Sequence, residues 1–275
     1  MPRPIAEHAA YTLLRLVDLL IPKLRRVALR NFELACPELP DAERPRRVNE
    51  CFRSLARVLT AVAKFPDINH SNVHHWIRYE GYEHFENALK RGKGVIFATG
   101  HLGNWELSAF AHALMSQPMS FVVRPLDNPL LDSLATRLRQ MSGNEVIGRN
   151  DILRPILRAL HANRAVGILA DQNVAQGKGV FVNFFGRKAC VDSGLARLAA
   201  RTGAAVIPGF AVWSPAEHRF ILKFYPPLEI TGDEIQDTQL VQSALERAIR
   251  EYPDQWLWIH RRWKTRPSGE PPLYV

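Results

Sequence analysis

Few cysteines, no long apolar run and no common nucleotide or hydrolase signature occur in this 275-residue chain. Its three cysteines, Cys36, Cys51 and Cys190, are odd in number and widely spaced, which fits free thiols in a reducing compartment rather than a disulfide framework. No stretch reaches the ~18 apolar residues that a spanning helix needs. The N-terminus also lacks the apolar segment and cleavage site of a secretory signal, so the chain is expected to stay on the cytoplasmic side. There is no GxSxG elbow, no P-loop and no GxGxxG after a strand, which weighs against hydrolase, nucleotidase and dehydrogenase chemistry. Metal-ligand patterns are missing as well: there is no CxxC or HExxH, and the adjacent His74 and His75 diverge on a helix or a strand alike. No metal and no cofactor is expected, and no repeat or low-complexity linker divides the chain.

A hydrophobic content of 47% is enough for a full core. The formal charge of +9 implies an acidic partner, whether nucleic acid, an anionic lipid surface or an acidic carrier protein. Residues 1–70 read as a helical N-terminal region and 71–275 as an α/β domain. Within the first part Leu13, Leu16, Val17, Leu20, Ile21, Leu24, Val27 and Ala28 share one helical stripe edged by arginines, a pattern that suits either core packing or a membrane interface. A second helix is expected over 41–63. From residue 94 onward apolar runs alternate with helical patterns, giving strands near 94–99, 120–123, 145–147, 165–170, 180–185, 205–212 and 220–224. This is the pattern of an α/β fold with a mixed central sheet flanked by helices.

The most informative stretch is Gly100-His101-Leu102-Gly103-Asn104-Trp105-Glu106, directly after the run 94–99. An apolar strand, a Gly-bearing turn and a helix that Asn104 caps would leave the His101 ring at the strand mouth. Glu106, in the first helical turn, is then placed to accept from one ring nitrogen while the other takes a proton. The plainer alternative ties His101 to backbone and leaves Glu106 to complement the helix dipole.

Further polar clusters fall where strands should end, the place where ligands bind in open α/β sheets. Arg124, Asp127 and Asn128 follow the second run, with Arg124 suited to a carboxylate, phosphate or oxyanion, or else to a loop salt bridge with Asp127. Asp171 and Gln172 emerge from the buried run ending at Ala170. Phe184, Phe185, Gly186 and Arg187 can wall an apolar channel and meet phosphate, or can be core aromatics beside a solvated charge. Near the C-terminus Trp256, Trp258 and Trp263 interleave with His260, Arg261, Arg262 and Lys264, a composition for headgroups or nucleic acid unless the rings pack inward.

Taken in order, residues 99–106, 124–129, 170–172, 184–186, 194–199 with 202–204, and 255–264 resemble the lysophospholipid acyltransferase superfamily. Within it they resemble the lipid A biosynthesis branch of bacterial lauroyl and myristoyl acyltransferases. The resemblance covers nearly the whole chain and implies a glycerol-3-phosphate-acyltransferase-like fold. It also implies acyl transfer from a thioester on acyl-carrier protein or coenzyme A to a hydroxyl of a glycolipid acceptor. The implied setting is the cytoplasmic face of a bacterial inner membrane, with peripheral or monotopic attachment to its anionic surface and no nucleic-acid partner. In that reading His101 is the general base and Glu106 orients it and stabilises the imidazolium. Arg124 and the backbone amide at Gly103 hold the oxyanion. Arg124, Asp127, Asn128, Asp171, Gln172, Phe184, Phe185, Gly186 and Arg187 bind substrates, with the two phenylalanines lining the acyl groove. Lys188, Cys190, Val191 and Trp213 depart from the family's usual residues and leave the acceptor open among glycolipids. The competing readings are a basic nucleic-acid-binding or lipid-binding protein, and a thioesterase-like relative.

Overall fold

The computed structural model describes residues 1–123, 125–148 and 152–274. Three helices lead: α1 (Arg3–Leu20), α2 (Pro22–Ala35) and α3 (Arg44–Lys64). The N-terminal stripe is therefore not one helix. Pro22 has no N–H and a fixed φ, so it ends one helix and opens the next. The break also divides the stripe, because Val27 and Ala28 turn into the core while Leu13, Leu16, Leu20 and Ile21 stay exposed. Arg25 of α2 grips the buried Asp18 of α1 through three hydrogen bonds of 3.1, 2.9 and 2.6 Å, which fixes the angle between the two helices.

The alternating region follows as β1 (Ile77–Glu80), α4 (Tyr82–Leu89), β2 (Val95–Thr99), α5 (Trp105–Met115), β3 (Ser120–Val122), α6 (Pro129–Gln140), β4 (Glu145–Ile147), α7 (Leu153–His161) and β5 (Ala165–Leu169). It closes with β6 (Val180–Phe184), β7 (Arg187–Val191), α8 (Gly194–Thr202), β8 (Ala205–Ser214), β9 (Arg219–Phe224) and α9 (Glu234–Glu251). All seven strands expected from apolar runs are present. The pattern did not single out β1 and β7, which are short and carry charged residues in place of an apolar run.

Seven strands form one mixed sheet in the order β1-β9-β8-β2-β5-β3-β4, parallel throughout except where β9 turns back on β8. Successive side chains of β2 point to opposite faces. Ile96 and Ala98 join one buried cluster together with α9 and the C-terminal tryptophans, whereas Val95 and Phe97 join another together with α5. The first cluster also takes in Phe32, Val48 and Phe52, so the N-terminal helices share a core with the sheet.

The Phe-Phe-Gly block is a turn, not a channel wall. Phe184 pairs with Arg187, so Phe185 and Gly186 form a two-residue hairpin between β6 and β7, with φ of 51° and 69°. That is the left-handed geometry such a hairpin needs. A phenylalanine tolerates it here because its ring is wedged among Trp256, Trp258 and Trp263. Those three tryptophans are themselves core residues rather than a headgroup or nucleic-acid surface.

Trp258 is fully buried and stacks on Phe32 with ring centroids 4.1 Å apart. Trp258→Ala should destabilise the protein by about 3–5 kcal/mol, read as a lowered midpoint in urea unfolding followed by far-ultraviolet circular dichroism.

Candidate active site

The registers of β2 and β5 build the site. Thr99 pairs with Leu169, and the ladder runs one step further as the Ala170 N–H donates to the Thr99 carbonyl at 2.8 Å. His101 and Asp171, each two residues beyond that pair, therefore leave the sheet side by side. The His101 Nδ1 lies 2.9 Å from Asp171 Oδ1, and its backbone N–H donates to Asp171 Oδ2 at 2.8 Å. Trp256 Nε1 donates to the same oxygen at 2.8 Å. An ionised carboxylate only accepts, so in the neutral ring Nδ1 carries the proton and Nε2 keeps its lone pair. The Gln172 side-chain amide lies 3.4 Å from Nε2, on the open side of the ring.

The carboxylate that orients His101 is thus Asp171 and not Glu106, the partner expected from the turn. Both Glu106 oxygens are taken by Arg139 of α6, at 2.8 and 2.6 Å. The physical reason is direction: Glu106 starts α5 and points across it toward α6, whereas Asp171 sits in register with the ring.

Charge settles the ring's behaviour. Burial works against a protonated His101, but the Asp171 charge and hydrogen bond outweigh it, with Glu106 adding to them, and the His101 pKa is raised above its ordinary 6.5. Burial likewise works against the Asp171 anion, which is 2% exposed. The His101 charge and hydrogen bond, Trp256 and the backbone donor nevertheless hold Asp171 well below the usual carboxylate range. A second layer fixes Asp171. Gln242 donates to the Ala170 carbonyl at 2.7 Å, and the fully buried Arg262 holds Gln242 at 2.8 Å.

Gly103 does not serve as an oxyanion donor, since its N–H already bonds the Gln255 carbonyl at 2.9 Å. It is there for room: φ is +64°, and a Cβ would lie 2.0 Å from the Ala211 carbonyl oxygen. Asn104 caps α5 as expected, accepting from the Leu107 N–H at 3.0 Å.

A pocket of about 500 Å³ opens beside the His101 ring. His101, Trp105, Glu106, Arg139, Gln172 and Asp127 rim it, and its walls are Phe97, Phe121, Val122, Leu222 and Phe224 against Ala109 and His112 of α5. Other expected contacts lie elsewhere. Asn128 is spent capping α6, with its Oδ1 accepting from the N–H groups of Leu130 and Leu131. Phe184, Phe185 and Gly186 are in the hairpin described above. Arg187 donates to the Leu34 carbonyl at 3.0 Å, tying β7 to α2. Arg124 lies outside the described residues. Arg139 carried no signal in the sequence, being 33 positions from Glu106. Trp256 was visible only as one of a tryptophan cluster. Among the described residues no group of three or more His, Cys, Asp or Glu side chains is placed to hold a metal ion.

The chain as a whole is similar to known proteins. Residues 1–265 match the family model described as bacterial lipid A biosynthesis acyltransferase. The lipid A biosynthesis palmitoleoyltransferase of Escherichia coli (strain K12) is 34% identical over 262 residues, which cover 92% of this chain and 84% of that protein. The lauroyltransferase of the same organism is 30% identical over 280 residues, covering 100% and 90%, and its myristoyltransferase is 25% identical over 248, covering 90% and 77%.

Asp171→Asn removes the charge that overcomes burial, so the His101 pKa should fall from above 6.5 to below it, as read by NMR titration of the labelled imidazole. The sign for stability follows by linkage. The raised His101 pKa stabilises the fold below pH 6.5 and that gain is lost as pH rises through the folded value; the depressed Asp171 pKa stabilises above pH 3.8. Wild type should therefore exceed Asp171→Asn in unfolding free energy most between those two values.

Proposed function

The chain belongs to the bacterial lipid A biosynthesis acyltransferases, O-acyltransferases by family, and on that premise we propose that His101 is its general base in moving a fatty acyl group from a thioester donor to a hydroxyl of a lipid A precursor. The observation that carries this reading is the His101 Nε2 lone pair beside an apolar pocket of about 500 Å³, with Nδ1 held by a buried carboxylate. The donor thioester is carried on acyl-carrier protein or coenzyme A, and an acidic carrier would suit a chain of charge +9.

The acceptor hydroxyl approaches Nε2, where the Gln172 amide now sits. Nε2 takes the hydroxyl proton as the oxygen attacks the thioester carbonyl, and the imidazolium so formed is stabilised by Asp171 directly and by Glu106 through charge. Collapse of the tetrahedral intermediate breaks the C–S bond, and the imidazolium returns its proton to the leaving thiolate. Ester and thiol are the products, and the base is restored. Arg139 keeps Glu106 in place at the rim, and Arg124 remains the proposed partner of the oxyanion. The acyl chain lies in the apolar pocket, where each buried methylene contributes about 0.8 kcal/mol.

Family relatives act on a lipid acceptor, and among the described residues no helix is long and apolar enough to cross a membrane. Attachment is proposed to be peripheral, at the cytoplasmic face of an inner membrane. Support comes from α1, whose Leu13, Leu16, Leu19 and Leu20 are exposed, and from α6, which has no buried residue and exposes Leu130, Leu131 and Leu134 close to the pocket rim.

His101→Ala should lower transfer of radiolabelled acyl groups from acyl-carrier protein to a lipid A precursor by about 10²–10⁴-fold, followed by thin-layer chromatography. Label appearing as free fatty acid in place of acylated lipid would support a thioesterase instead. The wild-type kcat/KM should fall as pH drops through the raised His101 pKa, because only the neutral ring accepts a proton.

A further inference from the structure

We infer that the length of the acyl chain this enzyme accepts is set at the closed end of the pocket by the Met119 thioether resting over Gly167. This rests on the reading of the pocket as the acyl site. Phe97, Gly167 and Phe121 form one row across three neighbouring strands, since Phe97 pairs with Gly167 on β5 and Gly167 with Phe121 on β3. All three line the pocket. The outer two carry rings and the middle one carries no side chain, so a slot runs between the rings toward the amino ends of the strands.

Met119 closes that slot. A Cβ built on Gly167 would stand 2.8 Å from the Met119 Cε and 3.5 Å from the Phe121 Cβ, so the methionine methyl lies against the bare backbone of Gly167. The Met119 main chain is fixed on both sides, its N–H donating to Asn144 Oδ1 at 2.9 Å and its carbonyl accepting from the Glu145 N–H at 3.0 Å. The side chain is 95% buried in effect, with 5% relative exposure, yet unbranched and deformable. The facing wall offers no charge to an incoming chain. Burial pushes His112 down to about 3, so its ring is neutral, and its Nδ1 is engaged by the Tyr79 hydroxyl at 2.9 Å.

Position makes this the length-determining contact. His101 stands at the carboxyl ends of the strands, where the thioester reacts, and Met119 precedes Ser120, which pairs with Val166 near the start of β5. From Asp171, which holds the His101 ring, back to Gly167 is four residues along the β5 segment, about 13 Å at roughly 3.3 Å per residue. The terminal carbons of a fatty acyl chain anchored at His101 therefore reach the thioether, and an additional methylene has to displace it. The thioester-bearing end, by contrast, meets the same groups whatever the chain length.

The test is a kcat/KM profile over saturated acyl-carrier-protein donors from eight to sixteen carbons, with wild type, Gly167→Ala and Met119→Ala. The new methyl in Gly167→Ala drives the thioether up into the slot, so the optimum should move to shorter chains; Met119→Ala lowers the floor, so it should move to longer ones. At about 0.8 kcal/mol per methylene, each carbon changes relative kcat/KM roughly fourfold, and a two-carbon shift changes it on the order of tenfold. Opposite shifts support the inference. Unchanged profiles in both variants of an active enzyme overturn it while leaving the proposed function intact. No transfer by wild type from any donor overturns that function, and the inference falls with it. Should Gly167→Ala fail to fold by circular dichroism, Met119→Ala and the milder Met119→Val decide alone: longer optima support the inference and a wild-type profile overturns it.

Discussion

The parallel register between β2 and β5 is the constraint on which the His101–Asp171 pair and the pocket beside it depend. It sets Thr99 against Leu169 and thereby brings out His101 and Asp171 at the same height, 70 residues apart in the chain. A slip of one residue in either strand would turn that residue's side chain to the opposite face of the sheet and separate the pair. The register is protected because β2 and β5 are buried on both faces, with Ile96, Ala98 and Val166 in one cluster and Val95, Phe97 and Ala165 in the other. The stability of the core and the geometry of the imidazole are in this sense one property.

The C-terminal segment finishes what the register begins. Trp256 reaches the Asp171 carboxylate, Leu257 donates its N–H to the His101 carbonyl at 3.0 Å, and the carbonyl of Gln255 receives the Gly103 N–H. Arg262 is a buried cation whose pKa burial lowers to about 10, and its two terminal nitrogens donate to the Cys190 carbonyl and the Gln242 side chain while its Nε has no partner among the described residues. This polar network surrounds Asp171 with fixed donors, while the His101 ring lines the pocket.

Much of this was legible in the residues. The strand–turn–helix around His101, the capping Asn104 and the alternation of apolar runs with helical patterns each rest on interactions between near neighbours, and each is found as expected. Asp171 was singled out because a charge following a buried apolar run is unusual, but its role was not visible, since nothing local pairs it with His101. Glu106 shows the opposite error. It lies five residues from the histidine and looked like its partner, yet its nearest cation comes from α6, which the chain reaches only later. The Phe-Phe-Gly block misled for a related reason: apolar rings beside a turn have the same composition whether they face a ligand or wedge a hairpin into tryptophans.

The sequence by itself determined the class of fold and the presence of a histidine at a strand mouth, because these follow from periodicity, turn chemistry and short spacings, and its ordered motifs carried the resemblance to the acyltransferase family. Tertiary structure decided which carboxylate holds the imidazole, which arginine neutralises the other carboxylate and which face of the sheet carries the pocket. Those outcomes depend on the insertion of β5 between β2 and β3. Strand order is set by how two apolar faces are covered at once, a condition on the whole chain that no local stretch of residues contains.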